Sequence, residues 1–200
     1  MRNVLIIGAT GTLGTAVTQN VLNKTDDHLT LFARSANRIN VQDDNRETVI
    51  SGNVMNDADL DKALKGQDAV FVALSGNLGA FAKKIVAAMD RNNVSRLVFI
   101  SSMGIYNEIP ASVGASGNLN SNPILRTYRE AADVIEASDL DYTVVRPGWF
   151  MGGPVDYEIT HKGEPFGGHD VSVASIADYV TKLVDDDQLD VHDSVGINKP

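Results

Sequence analysis

The chain has no cysteine among its 200 residues. Disulfides, thiolate metal sites and cysteine nucleophiles are excluded from the outset. Basic residues are in deficit too: 17 Lys and Arg stand against 26 Asp and Glu, a formal net charge of −9. Such an excess repels a phosphate backbone, and no basic tract interleaved with aromatics offsets it. Nucleic acid is therefore not an expected partner. No apolar run approaches the ~18 residues of a membrane span, so no membrane partner is expected either. The first residues lead into a strand and carry no signal-peptide pattern, which makes a cytoplasmic location the expectation. The four histidines, His28, His161, His169 and His192, share no ligand spacing, so no metal site is expected. There is no low-complexity tract and no repeat at solenoid period. A chain of this length fills one sizeable core, so residues 1–200 read as a single domain.

What is present begins at the N-terminus. An apolar run, Val4 to Ile7, breaks into Gly8, Gly11 and Gly14, and a helical face of Leu13, Val17 and Val21 follows. Strand, glycine turn and helix in that order form the context in which three glycines mark a dinucleotide-binding turn. Gly8 lets the chain turn off the strand, a bare Gly11 lets backbone approach a diphosphate, and Gly14 lets helix and strand pack closely. Unpaired N–H groups at the helix start then face the anion.

A second apolar strand, Leu29 to Ala33, ends in Arg34-Ser35. It lies about 20 residues past the glycines, where an acidic residue would bind both ribose hydroxyls of NAD. No Asp or Glu stands between His28 and Val41; Arg34, Ser35 and Arg38 cluster there instead. A planar fork of charged donors suits a 2′-phosphate, so the expected cofactor is NADP(H) in preference to NAD(H).

Apolar strands and helical patterns alternate almost to the end of the chain. Strands are expected at 48–51, 68–74, 96–100, 142–145 and 194–197. Asn56 is placed to cap a helix over 57–64, and Ser172 or Ser175 to cap the last one. Near-continuous apolar strands separated by helices predict an α/β fold, a doubly wound parallel sheet of Rossmann type. Two segments break the rhythm, 103–122 and 149–170. Both follow strand C-terminal ends, where open α/β sheets bind ligands, and the substrate site is expected between them.

On these stretches the chain resembles the small NmrA-like NAD(P)H-binding proteins, an atypical branch of the short-chain dehydrogenase/reductase superfamily that includes biliverdin and flavin reductases. The resemblance is carried by Gly8-Ala9-Thr10-Gly11-Thr12-Leu13-Gly14, Phe32-Ala33-Arg34, Val98 to Ser102, and Leu140 to Gly148. It implies that Thr10 through Leu13 hold the diphosphate and Arg34 the 2′-phosphate. It also implies Asn53 and Val54 beside adenine, Leu74, Ser75 and Gly76 along the ribose and nicotinamide, and Pro147 and Gly148 over the nicotinamide. Ser101 and Ser102 would face the substrate.

One departure stands out. The superfamily's usual proton donor is a tyrosine followed four residues later by lysine; here Tyr106 is followed by Pro110 and Tyr128 by Ala132. Without that lysine a phenol keeps its proton tightly, so the usual carbonyl-reducing relay is not expected. Arg129 beside Tyr128 cannot give up a proton in its place. The candidate catalytic groups are Ser101, Ser102, Tyr106 and Tyr128, and each has a structural alternative. The serines could tie down the following loop, Tyr128 could be a core tyrosine, and Tyr106, the better placed of the two, could pack its loop. Arg146 is expected to pair with a carboxylate more than to touch ligand. Trp149 and Phe150 could wall a flat substrate or anchor their loop. The leading reading is an NADPH-dependent oxidoreductase acting on a small conjugated or quinoid acceptor of the flavin, quinone or enone class. Its rival is a non-catalytic NADP(H) sensor. Epimerase chemistry on a nucleotide sugar is weaker, because the acid–base pair it needs is missing.

Overall fold

The apolar runs become the strands of one sheet in the computed structural model, which describes residues 1–200. In chain order the elements are β1 (Asn3–Ile7), α1 (Thr12–Lys24), β2 (His28–Ala33), β3 (Glu47–Ser51), α2 (Asp57–Leu64), β4 (Ala69–Val72), α3 (Leu78–Asn92) and β5 (Arg96–Ile100). After a long loop come α4 (Arg126–Glu136), β6 (Asp141–Pro147), β7 (Trp149–Met151), β8 (Glu158–Thr160), β9 (Asp170–Ser172), α5 (Val173–Asp185) and β10 (Asp193–Asn198). The eight-stranded sheet runs β3-β2-β1-β4-β5-β6-β10-β8. All neighbours are parallel except β8, which pairs antiparallel with β10. This is the doubly wound Rossmann arrangement, and it places the C-terminal ends of β1, β4, β5 and β6 along one edge.

Alternation along the strands feeds two cores. Leu5, Ile7, Val70, Val72, Leu97, Phe99 and Val144 point to the side covered by α2, α3 and α4. Val4, Ile6, Leu31, Phe71, Val98 and Val145 point to the other side, under α1 and α5. Every residue of β4 and β5 is buried, as a parallel strand covered on both faces requires. Helix starts follow local chemistry. The Asn56 side chain accepts from the Ala58 and Asp59 amides, Asn77 from Ala80, and Ser172 from Ser175. Arg96 is buried without a carboxylate partner, yet its guanidinium donates to the carbonyls of Leu183, Asp141 and Leu189 and to Thr143 Oγ1 at 2.8–3.1 Å. Those acceptors offset its burial and tie the end of α5 to the sheet. α5 stops at Asp185, and Arg2 pairs with Asp187 just beyond it.

The expected doubly wound parallel sheet is present, with β8 added as one antiparallel edge. The expectation of segment 149–170 as loop needs correction: it contains β7 and β8 and runs into β9, which pairs with β7 in a separate parallel ribbon. These are three-residue strands, two of them without a single buried residue, so no apolar period announces them. The fourth apolar run also leaves the sheet at Val72, two residues before Leu74.

A buried ion pair anchors the loop after β5. Arg146, fully buried on β6, pairs with Glu108, and the Glu108 carboxylate also accepts from the Gly104 and Tyr106 amides at 2.9 Å each. Arg146 reaches in addition the Ser194 hydroxyl at 3.1 Å and the Ser194 carbonyl at 3.0 Å on β10. One guanidinium thus fastens the loop to two strands. Glu108→Ala, which strands this charge, is expected to lower unfolding free energy by about 3–5 kcal/mol in denaturant titration. Adding Arg146→Met should restore more than half of that loss.

Candidate functional site

The turn between β1 and α1 leaves no room for side chains at two of its glycines. Gly8 adopts φ +94°, and a Cβ there would lie 2.1 Å from the Ala73 carbonyl oxygen. A Cβ on Gly14 would lie 2.2 Å from the Gly8 carbonyl oxygen. Gly11 differs. Its Cβ would meet only the Gly8 oxygen, at 3.3 Å, a tight contact that needs a small shift of the turn and not a clash like the other two. Glycine there leaves the outer side of the turn bare. The backbone agrees, because the N–H groups of Thr12, Leu13 and Gly14 find no acceptor within the protein. α1 also has no side-chain cap and no acid in its first turn. Its positive end stays open to an anion, and a diphosphate fits this donor set. Leu13 offers only its amide, since its side chain is buried in the core.

Around this cradle the expected cofactor residues take different parts. Arg34, Ser35 and Arg38 are all exposed, and neither arginine is paired with a carboxylate. Of the three, only Arg38 lines the polar cavity of about 240 Å³ that starts at Ala9 and Thr10 and runs beside α1 to Glu47. At the end of β4, Leu74 is half-buried while Ser75 and Gly76 are exposed. Asn53 Oδ1 already accepts from the Met55 amide at 3.0 Å, which leaves its amide nitrogen as the uncommitted donor of that side chain. The Val54 side chain is buried in the core, so only its backbone is available to a ligand.

One strand along from β4, a second cavity of about 400 Å³ opens at the C-terminal ends of β5 and β6. Ser101, Ser102, Pro147 and Gly148 form its floor, and Met103, Leu125 and Tyr128 one wall. Trp149, Phe150 and Ile124 also line it, and all three are exposed. Ser101 is 3% exposed, and its hydroxyl has no hydrogen-bond partner in the protein. A buried hydroxyl without a partner costs free energy unless something arrives to meet it. Ser102 is different, since its hydroxyl donates to the Met103 carbonyl at 3.0 Å and so ties down the loop. Tyr128 is half-buried at the cavity wall. Gly148 packs against the His169 carbonyl, where a Cβ would come within 2.6 Å, and Trp149 stacks on the His169 ring.

Tyr106 is not part of this cavity, which corrects the expectation that it orients an acceptor. Its hydroxyl donates to Glu136 and lies 3.1 Å from Ser194 Oγ. Cations of Arg129, Arg146 and Lys162 sit over its ring, 4.6–5.2 Å from the centroid. Burial, helped by the bond to Glu136, pushes this phenol far above the ordinary tyrosine range. Carboxylate and cations together hold it behind the cavity, where it cannot give a proton to a ligand. Ile124 and Leu125 were not anticipated, because they lie just beyond the irregular segment, in a short turn opened by Pro123. Sequence spacing also hid a polar cluster, since the β8–β10 pairing brings His161 beside Asp193 and Asp190.

The glycines give a separable test. Gly11→Ala should cost about 1 kcal/mol or less in stability but weaken pyridine nucleotide binding about tenfold or more in calorimetric titration. Gly14→Ala should instead cost about 1–3 kcal/mol in stability, through overpacking against Gly8.

Residues 8–187 match the family model described as NAD(P)H-binding. A Rossmann-fold NAD(P)-binding family protein from Shigella flexneri is 37% identical over the whole of this chain and 94% of its own, with a TM-score of 0.87. A short-chain dehydrogenase/reductase from Veillonella parvula, solved in complex with NADP, is 28% identical, with a TM-score of 0.91 over 100% of this chain and 95% of its own. Among curated proteins, a (4-alkanoyl-5-oxo-2,5-dihydrofuran-3-yl)methyl phosphate reductase of Streptomyces griseus is 29% identical over 77% of this chain and 50% of its own length. An oxidoreductase of Emericella nidulans is 26% identical over 74% of this chain and 65% of its own. The chain thus spans about half to two-thirds of the curated relatives it matches. No helix is long and apolar enough to cross a membrane. Glycine cradle, strand order and family match lead to one assignment: the chain belongs to the NAD(P)H-binding family, among the Rossmann-fold proteins of the atypical short-chain dehydrogenase/reductase type.

Proposed function

We propose that the protein is an NADPH-dependent oxidoreductase that reduces a small conjugated or quinoid acceptor of the flavin, quinone or enone class. The observation that carries this reading is the partnerless, buried Ser101 hydroxyl at the floor of a cavity that only β4 separates from the strand bearing the diphosphate cradle. The reductase and oxidoreductase names of the curated relatives support the same chemistry.

Thr10, Thr12, Leu13 and Gly14 would hold the diphosphate through backbone amides, with Gly8 and Gly11 giving the turn its shape. Arg34, Ser35 and Arg38 would take the 2′-phosphate, Arg38 from the mouth of the polar cavity. Asn53 and the Val54 backbone lie toward adenine. Leu74, Ser75 and Gly76 would line the ribose side, and Pro147 and Gly148 the nicotinamide side. The bound cofactor would supply a hydride.

The chain's own task is to align an acceptor above that position and to exclude water around it. The Ser101 hydroxyl donates to the acceptor's carbonyl oxygen, where negative charge grows as the hydride arrives. Tyr128 stands on the wall with its phenol available to the same oxygen. The proton that completes reduction comes from solvent through these hydroxyls, so each turnover consumes one NADPH and one proton.

NADPH oxidation with a panel of quinones, flavins and enones tests the reading directly. Turnover with at least one acceptor is expected; tight binding of both redox forms with no oxidation would replace catalysis by a sensing role. Ser101→Ala should lower kcat about tenfold to a hundredfold while the denaturation midpoint of the free protein rises, because an unpaired buried hydroxyl is removed. In titrations, Arg34→Ala and Arg38→Ala should each weaken NADPH about tenfold and leave NADH nearly unchanged. Equal losses for both cofactors would remove the 2′-phosphate assignment.

A further inference from the structure

The cavity at β5 and β6 is lined by twelve residues, and none of them is charged. In a chain with 22% charged residues, that leaves nothing in the cavity to neutralise a charge brought in by a ligand. Arg126, Arg129 and Arg146 each adjoin a lining residue in sequence, and none lines the cavity. Arg126 is exposed, and Arg146 is committed to Glu108 and Ser194. Arg129 is committed to Asp133 and to the Ile105 carbonyl. His169, stacked behind Trp149, is hydrogen-bonded to Asp170. The field of the chain, at −9 overall, disfavours an anion further. At the mouth, Trp149, Phe150 and Ile124 are 63%, 49% and 68% exposed, and their apolar surface is free to be covered by the body of a ligand.

From this lining we infer that the acceptor is an uncharged, largely apolar planar carbonyl compound, and that phosphorylated, carboxylated or sulfonated acceptors are rejected. The inference rests on the reductase reading of this cavity and narrows it. Within the quinones it selects neutral rings over sulfonated ones. Within the flavins it selects a ring without the phosphate-bearing chain. An anion in the cavity would lose its hydration and gain no countercharge. A neutral ring loses little water, gains contact with Met103, Leu125 and Phe150, and offers its carbonyl oxygen to Ser101. The Streptomyces griseus relative is by name the reductase of a (4-alkanoyl-5-oxo-2,5-dihydrofuran-3-yl)methyl phosphate. A phosphate ester of that kind has no cationic partner in this cavity.

Trp149, the chain's single tryptophan, lines the cavity at its mouth, so its fluorescence reports occupancy without any turnover. The experiment titrates the full chain, without added nucleotide, using 1,4-naphthoquinone and its 2-sulfonate, and then measures NADPH oxidation with the same pair. Saturable quenching by the neutral quinone, at an affinity about tenfold or more above that of the sulfonate, is expected. Ile124→Lys, a change at an exposed rim position, should narrow that ratio by strengthening the sulfonate. Equal or tighter binding of the sulfonate overturns the inference, and its loss in Arg126→Ala would identify a rim cation as the cause. Absence of binding by either quinone overturns it as well. Selective binding of the neutral quinone without NADPH oxidation leaves the inference standing and removes the reductase reading.

Discussion

The close approach of β1, the Gly8 turn and α1 is the constraint from which the site follows. Strand end and helix start touch through bare backbone, with a Cβ at Gly14 blocked by the Gly8 carbonyl and a Cβ at Gly8 blocked by Ala73. That contact sets where the amides of Thr12, Leu13 and Gly14 point. It also brings the end of β4 beside the turn, where Ala73 abuts Gly8. Gly11 is the least crowded of the three: its N–H donates to the Gly8 carbonyl at 3.0 Å, and a Cβ there would stand 3.3 Å from the same oxygen, a tight contact and not a clash.

The second requirement is to hold the irregular chain after β5 against the sheet. A loop of this length carries many backbone polar groups, and most of its fixed points are charged or polar. Glu108 gathers the amides of Gly104 and Tyr106 and passes the load to Arg146. Tyr106 extends the same network to Glu136 and Ser194. This arrangement commits Glu108 and Arg146 to each other and leaves no charged side chain in the cavity lining. The uncharged character of the cavity is therefore a consequence of how the loop is anchored. It also explains why one tyrosine belongs to the scaffold and the other to the site. Tyr106 falls among three cations and a carboxylate, whereas Tyr128 falls on the cavity side of α4.

The two cavities divide the chemistry between them. The one beside α1 is polar, with threonine hydroxyls, side-chain amides and Arg38 near the cradle, and it suits the phosphorylated half of a nucleotide. The one at β5 and β6 offers hydroxyls on an apolar wall. The first reaches the C-terminal edge of the sheet at Ala9 and Thr10, after β1, and the second lies on the same edge after β5 and β6. Ser101 and Ser102, neighbours in sequence, illustrate how finely the strand end sorts its groups. One hydroxyl is consumed by the loop, and the other is kept free in a buried place.

The sequence by itself determined the doubly wound sheet, because apolar runs separated by amphipathic helices have few other ways to be covered on both faces. It determined the cradle as well, since three glycines at a strand-to-helix junction have a purely local geometric meaning. The caps at Asn56 and Ser172 were legible for the same reason, as each bond spans two or three residues. Tertiary structure decided the rest. The antiparallel edge β8 and the β7–β9 ribbon left no periodic signal, being short and mostly exposed. Which tyrosine faces the cavity depended on Glu136, Arg146 and Ser194, which stand 30 to 88 residues away from Tyr106 in sequence. The lining of the cavity, including Ile124 and Leu125, was assembled from β5, β6, β7, α4 and the turn before α4. Local pattern fixes the direction in which a side chain leaves its own element; what it meets there is set by contacts that no short window of sequence contains.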